Sequence, residues 1–399
     1  MDTNNFCQGY WEVGENKFIN KVDALNYSNA KNELVYFRYF DNIFENTDIT
    51  KLGQQSLNFW YKERAQQIRD QYDYLILYFS GGADSYNVLR TFLDNNIHLD
   101  EVCVKWCMQT KNSNSLIYQP NTINKNPTNY LSEFDFAIKP VLDYIQNNYP
   151  SIKTTIVDWL PNVESTIDEA LFSMVNNWHD IELPMMVTYS PNENIQVKLG
   201  KKVASIYGVD KPKIYYCDED AYMYFTDGAT TMGVPNPNNP YGIEYFYWTP
   251  KMPQLAYEMA YKVIKWELAN ERFFHHFGIT EEKRSTFYQG TAKIPYQYIY
   301  QIRETTFRNV LYTTWDNKFQ ANKPQLLDRT DKHAWITKYK QLSMYKQSFN
   351  YILDNIITNC NKNYIWTHPT ANRKRYKLLP TKKHLVLKSY KKYLKNEYI

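Results

Sequence analysis

The twelve residues from Tyr74 to Ser85 restrict this chain more than any other stretch. Tyr74-Leu75-Ile76-Leu77-Tyr78-Phe79 is a short continuous apolar run, the pattern of a strand buried on both faces, as in a parallel sheet. It leads straight into Ser80-Gly81-Gly82-Ala83-Asp84-Ser85, after which Tyr86, Val88, Leu89, Phe92 and Leu93 fall at the spacing of a helix's buried stripe. Strand, tight turn and helix together open an α/β unit. Glycine is scarce, 12 in 399 residues, and Gly81-Gly82 is its only adjacent pair. Random placement explains that pair poorly.

The same rhythm continues downstream. Val102 to Trp106 predicts a second strand, and the polar residues 107–128 a long surface loop. A helix is expected over 132–148, with Pro140 as a kink or boundary. Ile152 to Val157 gives a third strand, Val163 to Trp178 a helix and Val203 to Tyr207 a fourth strand. The alternation predicts an open, mostly parallel sheet with helices on both faces and right-handed crossovers. Ligands of such sheets sit beyond the carboxyl ends of the strands, where both Ser80 and Gly208 fall. Lys213 to Cys217 and Tyr222 to Phe225 suit a pair of strands, residues 228–242 a loop, and Pro253 to Phe277 a helix. Upstream, residues 57–68 fit a helix ending before the first strand.

The chemistry of the turn follows from its residue types. Phosphate is held by backbone N–H groups and by the positive helix end, worth about half a unit charge. A loop that wraps phosphate closely needs glycine at the closest points. Ser80 and Ser85 add hydroxyls, and Ser85 also suits a helix cap. Asp84 repels phosphate unless Mg2+ binds carboxylate and phosphate oxygens together. The plain alternative is a structural turn with Asp84 as the cap.

Residues Tyr74 to Ser85 resemble the signature of the PP-loop, or ATP pyrophosphatase, superfamily of adenine nucleotide alpha-hydrolase-like fold. Its members include phosphoadenosine phosphosulfate reductases, asparagine synthetases, GMP and NAD synthetases and deazaguanine synthases. Asp84-Ser85-Tyr86-Asn87-Val88-Leu89 and Asn95-Asn96-Ile97-His98-Leu99-Asp100-Glu101-Val102 are most similar to bacteriophage-encoded members labelled reductase-like or synthase-like. The resemblance extends over residues 57–215. It implies ATP bound over Ser80, Gly81, Gly82, Ala83 and Ser85, with Asp84 assisting through Mg2+. It further implies cleavage between the α and β phosphates, giving an adenylated acceptor and pyrophosphate. The superfamily commonly places a second contact where Gly208-Val209-Asp210-Lys211-Pro212 stands here, so Gly208, Asp210 and Lys211 become candidates for substrate binding and Lys211 for catalysis. The same five residues also make an ordinary turn.

The resemblance leaves the acceptor open, whether small molecule, nucleobase or tRNA. A reductase-like enzyme or a non-catalytic nucleotide-binding module are the alternatives. The reductase branch carries its nucleophilic cysteine in a Glu-Cys-Gly-Ile-His run, whereas Cys360 lies within Thr358-Asn359-Cys360-Asn361-Lys362. Nor does the chain carry a CxxC pair, the zinc cysteines of the deazaguanine synthases, or a cysteine at position 2, where Asp2 stands. It has no Walker-type GxxxxGK[ST] sequence.

Composition adds bounds. A chain of 399 residues exceeds the usual single core, which suggests an N-terminal extension over 1–72, a core over 73–227 and a mostly helical C-terminal region over 228–399. Net charge is +4, too mild to argue for nucleic acid by itself, although the basic stretch 373–395, with Tyr376, Tyr390 and Tyr393 interleaved, suits a polyanion. A basic helix or a tail packed on the core is the plainer reading. The high aromatic share, 17%, reflects either an AT-rich genome or stacking sites. Cys7, Cys103, Cys107, Cys217 and Cys360 are scattered without zinc spacing, which suits a reducing cytoplasm. Neither a signal peptide nor a run of about 20 apolar residues is seen. Lys198, Lys201 and Lys202 suit pyrophosphate or a solvated face. His179-Asp180, His275-His276, Arg303 and Arg308 have no partners at ligand spacing.

Overall fold

The computed structural model describes residues 9–106, 134–158, 188–209, 211–228, 236–270, 310–312, 365–368, 373–376 and 378–390. Elements among them run β1 (Tyr10–Val13), β2 (Asn16–Phe18), α1 (Lys21–Lys31), β3 (Val35–Arg38), α2 (Asp41–Glu45), α3 (Leu57–Gln71), β4 (Tyr74–Tyr78), α4 (Ala83–Asp94) and β5 (Glu101–Trp106). A π-turn (Phe134–Ile138) then enters α5 (Lys139–Asn148), followed by β6 (Lys153–Asp158), α6 (Pro191–Lys198), β7 (Val203–Tyr207), β8 (Lys213–Cys217), β9 (Asp220–Tyr224), β10 (Ile243–Tyr245) and α7 (Pro253–Ala269). Three strands close the sequence, β11 (Ile365–His368), β12 (Arg373–Tyr376) and β13 (His384–Leu387).

The main sheet has five parallel strands in the order β10-β7-β4-β5-β6. Its centre is the apolar run of β4, buried at every position. Register sorts the faces. Ile76 pairs with Glu101 and Ser205, while Leu77 pairs with Val102 and Ile206, so alternate residues line opposite sides. On the Leu77 side, Glu244 receives Arg64 of α3, and α4 packs beside α3. On the Ile76 side, Glu101 receives Ser190, the cap of α6. Helices therefore cover both faces, as an α/β sheet requires.

Strand order decides where a ligand goes. The chain steps outward from β4 to β5 to β6, then returns to the other side of β4 as β7. That reversal falls at the carboxyl ends of β4 and β7, the general ligand position of such sheets.

Helix α3 forms because Leu57, Tyr61, Arg64, Ala65 and Ile68 make one buried stripe, and Ser56 caps it by accepting from the Phe59 amide at 3.1 Å. In α4, Val88, Leu89 and Phe92 are fully enclosed, each worth about 1.5–3 kcal/mol of burial. The expected strands over 102–106, 152–157 and 203–207 are present as β5, β6 and β7, and β8 and β9 pair antiparallel. Pro140 opens α5 rather than kinking it, since its missing N–H costs nothing in a first turn. The helix expected over 163–178 lies outside the described residues.

Other outcomes differ from expectation. The polar lead-in contains an antiparallel sheet, β2-β1-β3, whose hairpin turns at Gly14-Glu15 with Gly14 at φ +56°, a conformation glycine adopts freely. Its inner residues Trp11, Val13, Val35 and Phe37 are buried, and Tyr39 stacks on Trp248 at 3.9 Å. Residues 243–245, just beyond the loop expected over 228–242, add an edge strand to the main sheet that is not expected from the sequence. The C-terminal region contributes helix α7, but every described element after residue 364 is a strand. There β13 joins β9 and β8 in a second antiparallel sheet. Among the described residues no helix is long and apolar enough to cross a membrane.

His384 ties that small sheet to α2. Its ring stacks on Phe44 at 5.3 Å, and Nε2 lies 4.0 Å from Asp41 Oδ1. Burial pulls its pKa down to about 4, against a smaller upward pull from Glu45. A histidine held neutral in the fold and ordinary when unfolded stabilises fully above about pH 6.5, and that stability drains away as pH falls toward 4. The wild type should lose about 3 kcal/mol more than His384→Phe between pH 7 and pH 4. Urea midpoints at the two pH values check this, and parallel shifts in both proteins would refute it.

Candidate phosphate-binding site

The Ser80–Ser85 turn crosses from β4 to α4 at that reversal. Gly81 has φ +69°, and a Cβ there would meet Ile138 Cγ1 at 2.7 Å. Both its backbone angle and its surroundings call for glycine. Gly82 is the N-cap, extended at φ −82°, ψ 161°, with no side-chain cap bond. The first-turn N–H groups of α4 are thus not taken up by a capping side chain, which is the geometry that receives an anion. Ser85 is buried inside the first turn. Its hydroxyl donates to the Gly82 carbonyl at 3.1 Å, accepts from the Ser80 amide at 3.3 Å and lies 3.2 Å from Ser80 Oγ. Gly82 N–H in turn donates to Ser80 Oγ at 3.3 Å. Ser85 therefore braces the turn from inside, while Ser80 and Gly82 form its rim.

Asp84 is not the cap. Its Oδ1 accepts Lys211 Nζ at 2.6 Å and also the hydroxyl of Tyr312. Its backbone carbonyl accepts from Tyr247 Oη at 2.9 Å, and that hydroxyl accepts from Asn87 Nδ2 at 2.9 Å. Tyr61 anchors the next layer by donating to the Leu311 carbonyl at 2.9 Å. The rings of Tyr61, Tyr247 and Tyr312 pack in sequence, with centroids 5.8 and 6.1 Å apart. Burial pushes all three phenols well above their ordinary range, and the Asp84 charge adds to this. They stay protonated and act as donors. Lys211 Nζ also lies 5.5 Å from the Tyr312 ring centroid.

Gly208 meets the turn from β7. A Cβ at this position would meet the Asp84 carbonyl carbon and oxygen at 3.0 Å and Ser85 Cα at 3.1 Å. Backbone packs on backbone here, and only glycine leaves room.

The turn, Gly208 and Lys211 thus come together, although Lys211 is 127 residues from Asp84. Asp210 lies outside the described residues, as do His179, Asp180, His275, His276, Arg303 and Arg308. Lys198, Lys201 and Lys202 sit at the other end of the sheet, before β7 begins, where the Lys202 amide donates to Asp73. They are too far along the strands to serve the turn. In the basic stretch, Tyr390 is buried against Tyr216 at 5.1 Å and offers no open face. No role at the turn was assigned from the sequence to Tyr61, Asn87, Tyr247 or Tyr312, because a side chain's neighbours along the chain do not report what its polar end meets.

As a place for Mg2+, the turn offers one carboxylate, that of Asp84. Among the described residues no group of three or more metal-ligating side chains surrounds it. One carboxylate beside such a turn suits an ion shared with phosphates of a ligand rather than one held by the protein alone. No protein-family model, curated protein or solved structure matches this chain.

Proposed function

We propose that this chain binds ATP with Mg2+ at Ser80–Ser85 and transfers adenylate to an acceptor with release of pyrophosphate, as PP-loop ATP pyrophosphatases do. One observation carries the reading. The glycine turn stands at the strand-order reversal, with an uncapped helix N-terminus on one side and the Asp84–Lys211 pair on the other.

In this reading the amides of Gly82 and the first turn of α4 hold the polyphosphate, and Ser80 adds its hydroxyl. Asp84 would hold Mg2+ together with phosphate oxygens, and the ion neutralises charge on the nucleotide. Tyr247 and Tyr312 fix Asp84 in place. Lys211 exchanges its carboxylate contact for a phosphate oxygen and supports the negative charge that builds on pyrophosphate as the α–β bond breaks. The acceptor enters opposite that bond, in line with the leaving group.

The test uses full-length protein. ATP with Mg2+ should bind in calorimetry, and Asp84→Ala should weaken it by about 10-fold, the loss of one charge-assisted contact. A screen for pyrophosphate release against carboxylic acids, nucleobases and tRNA should yield AMP and pyrophosphate with the right acceptor. ADP and phosphate as products would remove the adenylation mechanism.

A further inference from the structure

The positive charge of this chain is concentrated in one place. Of 46 Lys and Arg and 42 Asp and Glu, residues 355–396 hold eleven of the basic and none of the acidic ones, so the rest of the chain is acidic by seven. Within that stretch β11 and β12 pair antiparallel as a two-stranded ribbon, which joins no third strand among the described residues. Its register sets Trp366 against Arg375 and His368 against Arg373. Paired residues, and residues two apart on a strand, share a face. One face of the ribbon therefore carries two arginines beside a tryptophan and a histidine. The other carries Ile365, Thr367, Lys374 and Tyr376.

The exit of the ribbon is fixed to the core. Three residues beyond Tyr376, the Leu379 amide donates to Asp227 Oδ1 at 2.9 Å, and Thr226 forms a β-bridge with Pro380. The Thr381 amide then donates to the Phe225 carbonyl at 2.9 Å. Asp227 is itself buried, with Lys21 Nζ at 2.6 Å and Trp11 Nε1 at 3.0 Å. Further along, Lys382 meets Glu45, and Lys383 Nζ lies 3.2 Å from the Tyr215 ring centroid. Those two cations are committed to the protein, which leaves the ribbon as the basic element with residues to spare for a ligand.

We infer that the face bearing Trp366, His368, Arg373 and Arg375 is a docking surface for single-stranded nucleic acid. A stretch without a single carboxylate attracts a polyanion, while the acidic remainder of the chain repels it, so binding is focused on the ribbon. Packing this face on an apolar core would instead strand two guanidinium charges away from water. The aromatic residues decide which polyanion. Tryptophan, histidine and the guanidinium plane all stack on bases, and only unpaired bases offer open faces. A duplex, an anionic lipid surface or an acidic peptide would satisfy the arginines and leave Trp366 and His368 without a use. Neither stacking nor phosphate neutralisation reads the sugar, so DNA and RNA strands bind alike.

Fluorescence anisotropy of the full-length protein with a labelled, unstructured DNA strand of about 16 nucleotides, the upper end of single-strand site sizes, tests this. The strand and its RNA counterpart should bind within about 3-fold of each other, and the matching duplex at least about 10-fold more weakly. Arg373→Gln with Arg375→Gln removes two phosphate contacts, so affinity should fall about 7-fold less than in the wild type as salt rises from about 50 mM to about 200 mM. Trp366→Ala should weaken strand binding about 10-fold without changing duplex binding, and Trp366→Phe should restore most of that loss. On the unmutated protein, ultraviolet crosslinking to a bromodeoxyuridine-substituted strand should place the adduct within residues 365–376, so a variant that folds poorly does not decide the matter. An adduct mapped elsewhere would overturn the proposal, as would no binding, or equal affinity for the duplex or for polyglutamate. Binding is scored without ATP, so a failure of the nucleotide reading leaves this inference standing, and the reverse.

Discussion

In the proposed nucleotide site, Gly208→Val will cost about 100-fold in ATP affinity, the equivalent of about 3 kcal/mol, at the upper end of what overpacking imposes. The Cβ would press on the Asp84 carbonyl group at 3.0 Å and on Ser85 Cα at 3.1 Å. These are backbone atoms, so no rotamer change relieves the clash, and valine's γ carbons add to it. The displaced segment includes the carbonyl held by Tyr247 at 2.9 Å and the carboxylate held by Lys211 at 2.6 Å. Gly81→Ala should also do harm, because its Cβ would meet Ile138 Cγ1 at 2.7 Å, an atom beside the branch of a buried, stiff side chain, and its φ of +69° disfavours any side chain. Gly200→Val is the control. It has φ +80° but nothing within 4 Å, so it pays about 1–2 kcal/mol of backbone strain and leaves ATP affinity unchanged. Calorimetric titration with ATP and Mg2+, beside thermal melts, separates the two effects. Wild-type affinity in Gly208→Val would mean that the nucleotide does not use this turn.

What could be read in advance follows from how local each signal is. The main sheet was legible because β4 is a continuous apolar run, β5 and β7 are mostly apolar, and α3 and α4 show helical stripes. The turn was legible because positive φ at Gly81 leaves a glycine in the sequence. Strand β10 was not, since Ile243-Glu244-Tyr245 is three residues long and its glutamate is buried only because Arg64 meets it from 180 positions away. The N-terminal sheet escaped for a similar reason. Its strands are short, and their inward residues find a core only once Trp248 and Phe225 are in place, with Phe37 at 6.3 Å from Trp248 and Phe225 stacked on the same ring at 5.2 Å. The high tyrosine content, ambiguous in the sequence, has a partial answer. Tyr39, Tyr61, Tyr78, Tyr247 and Tyr257 are buried with their hydroxyls bonded to distant backbone or side-chain atoms. Such a hydroxyl joins segments far apart in sequence, and its partner is the one thing a sequence window cannot contain.

Arg64→Ala will be the most destabilising single substitution of a side chain outside the turn, by about 3–5 kcal/mol. The guanidinium is fully enclosed and ties helix α3 to the consecutive residues 244–246. Nη2 meets Glu244 Oε2 at 2.6 Å and the Tyr245 carbonyl at 3.0 Å, Nε reaches the Phe246 carbonyl at 3.3 Å, and Nη1 donates to Gln67 at 2.8 Å. Removing it takes one donor from each of two backbone carbonyls and leaves Glu244 buried with Lys251 and Tyr72 still bonded to it. Burial pushes the Glu244 pKa up, yet Arg64 and then Lys251 outweigh it, and the carboxyl rests below its ordinary value. A carboxyl depressed in the fold adds stability above its unfolded pKa, which is lost as pH falls through the folded one. Without Arg64 the largest downward pull on Glu244 is gone and its carboxylate contributes less, so the variant's deficit should shrink as the solution is acidified below pH 4. Arg64→Met with Glu244→Gln should recover part of the loss at neutral pH, because neither side then leaves a charge buried alone. Guanidinium unfolding of the three proteins at pH 7 and pH 3.5 decides it. A deficit below about 1 kcal/mol for Arg64→Ala, within the range of ordinary surface pairs, would mean that β10 is not held to α3 by this contact.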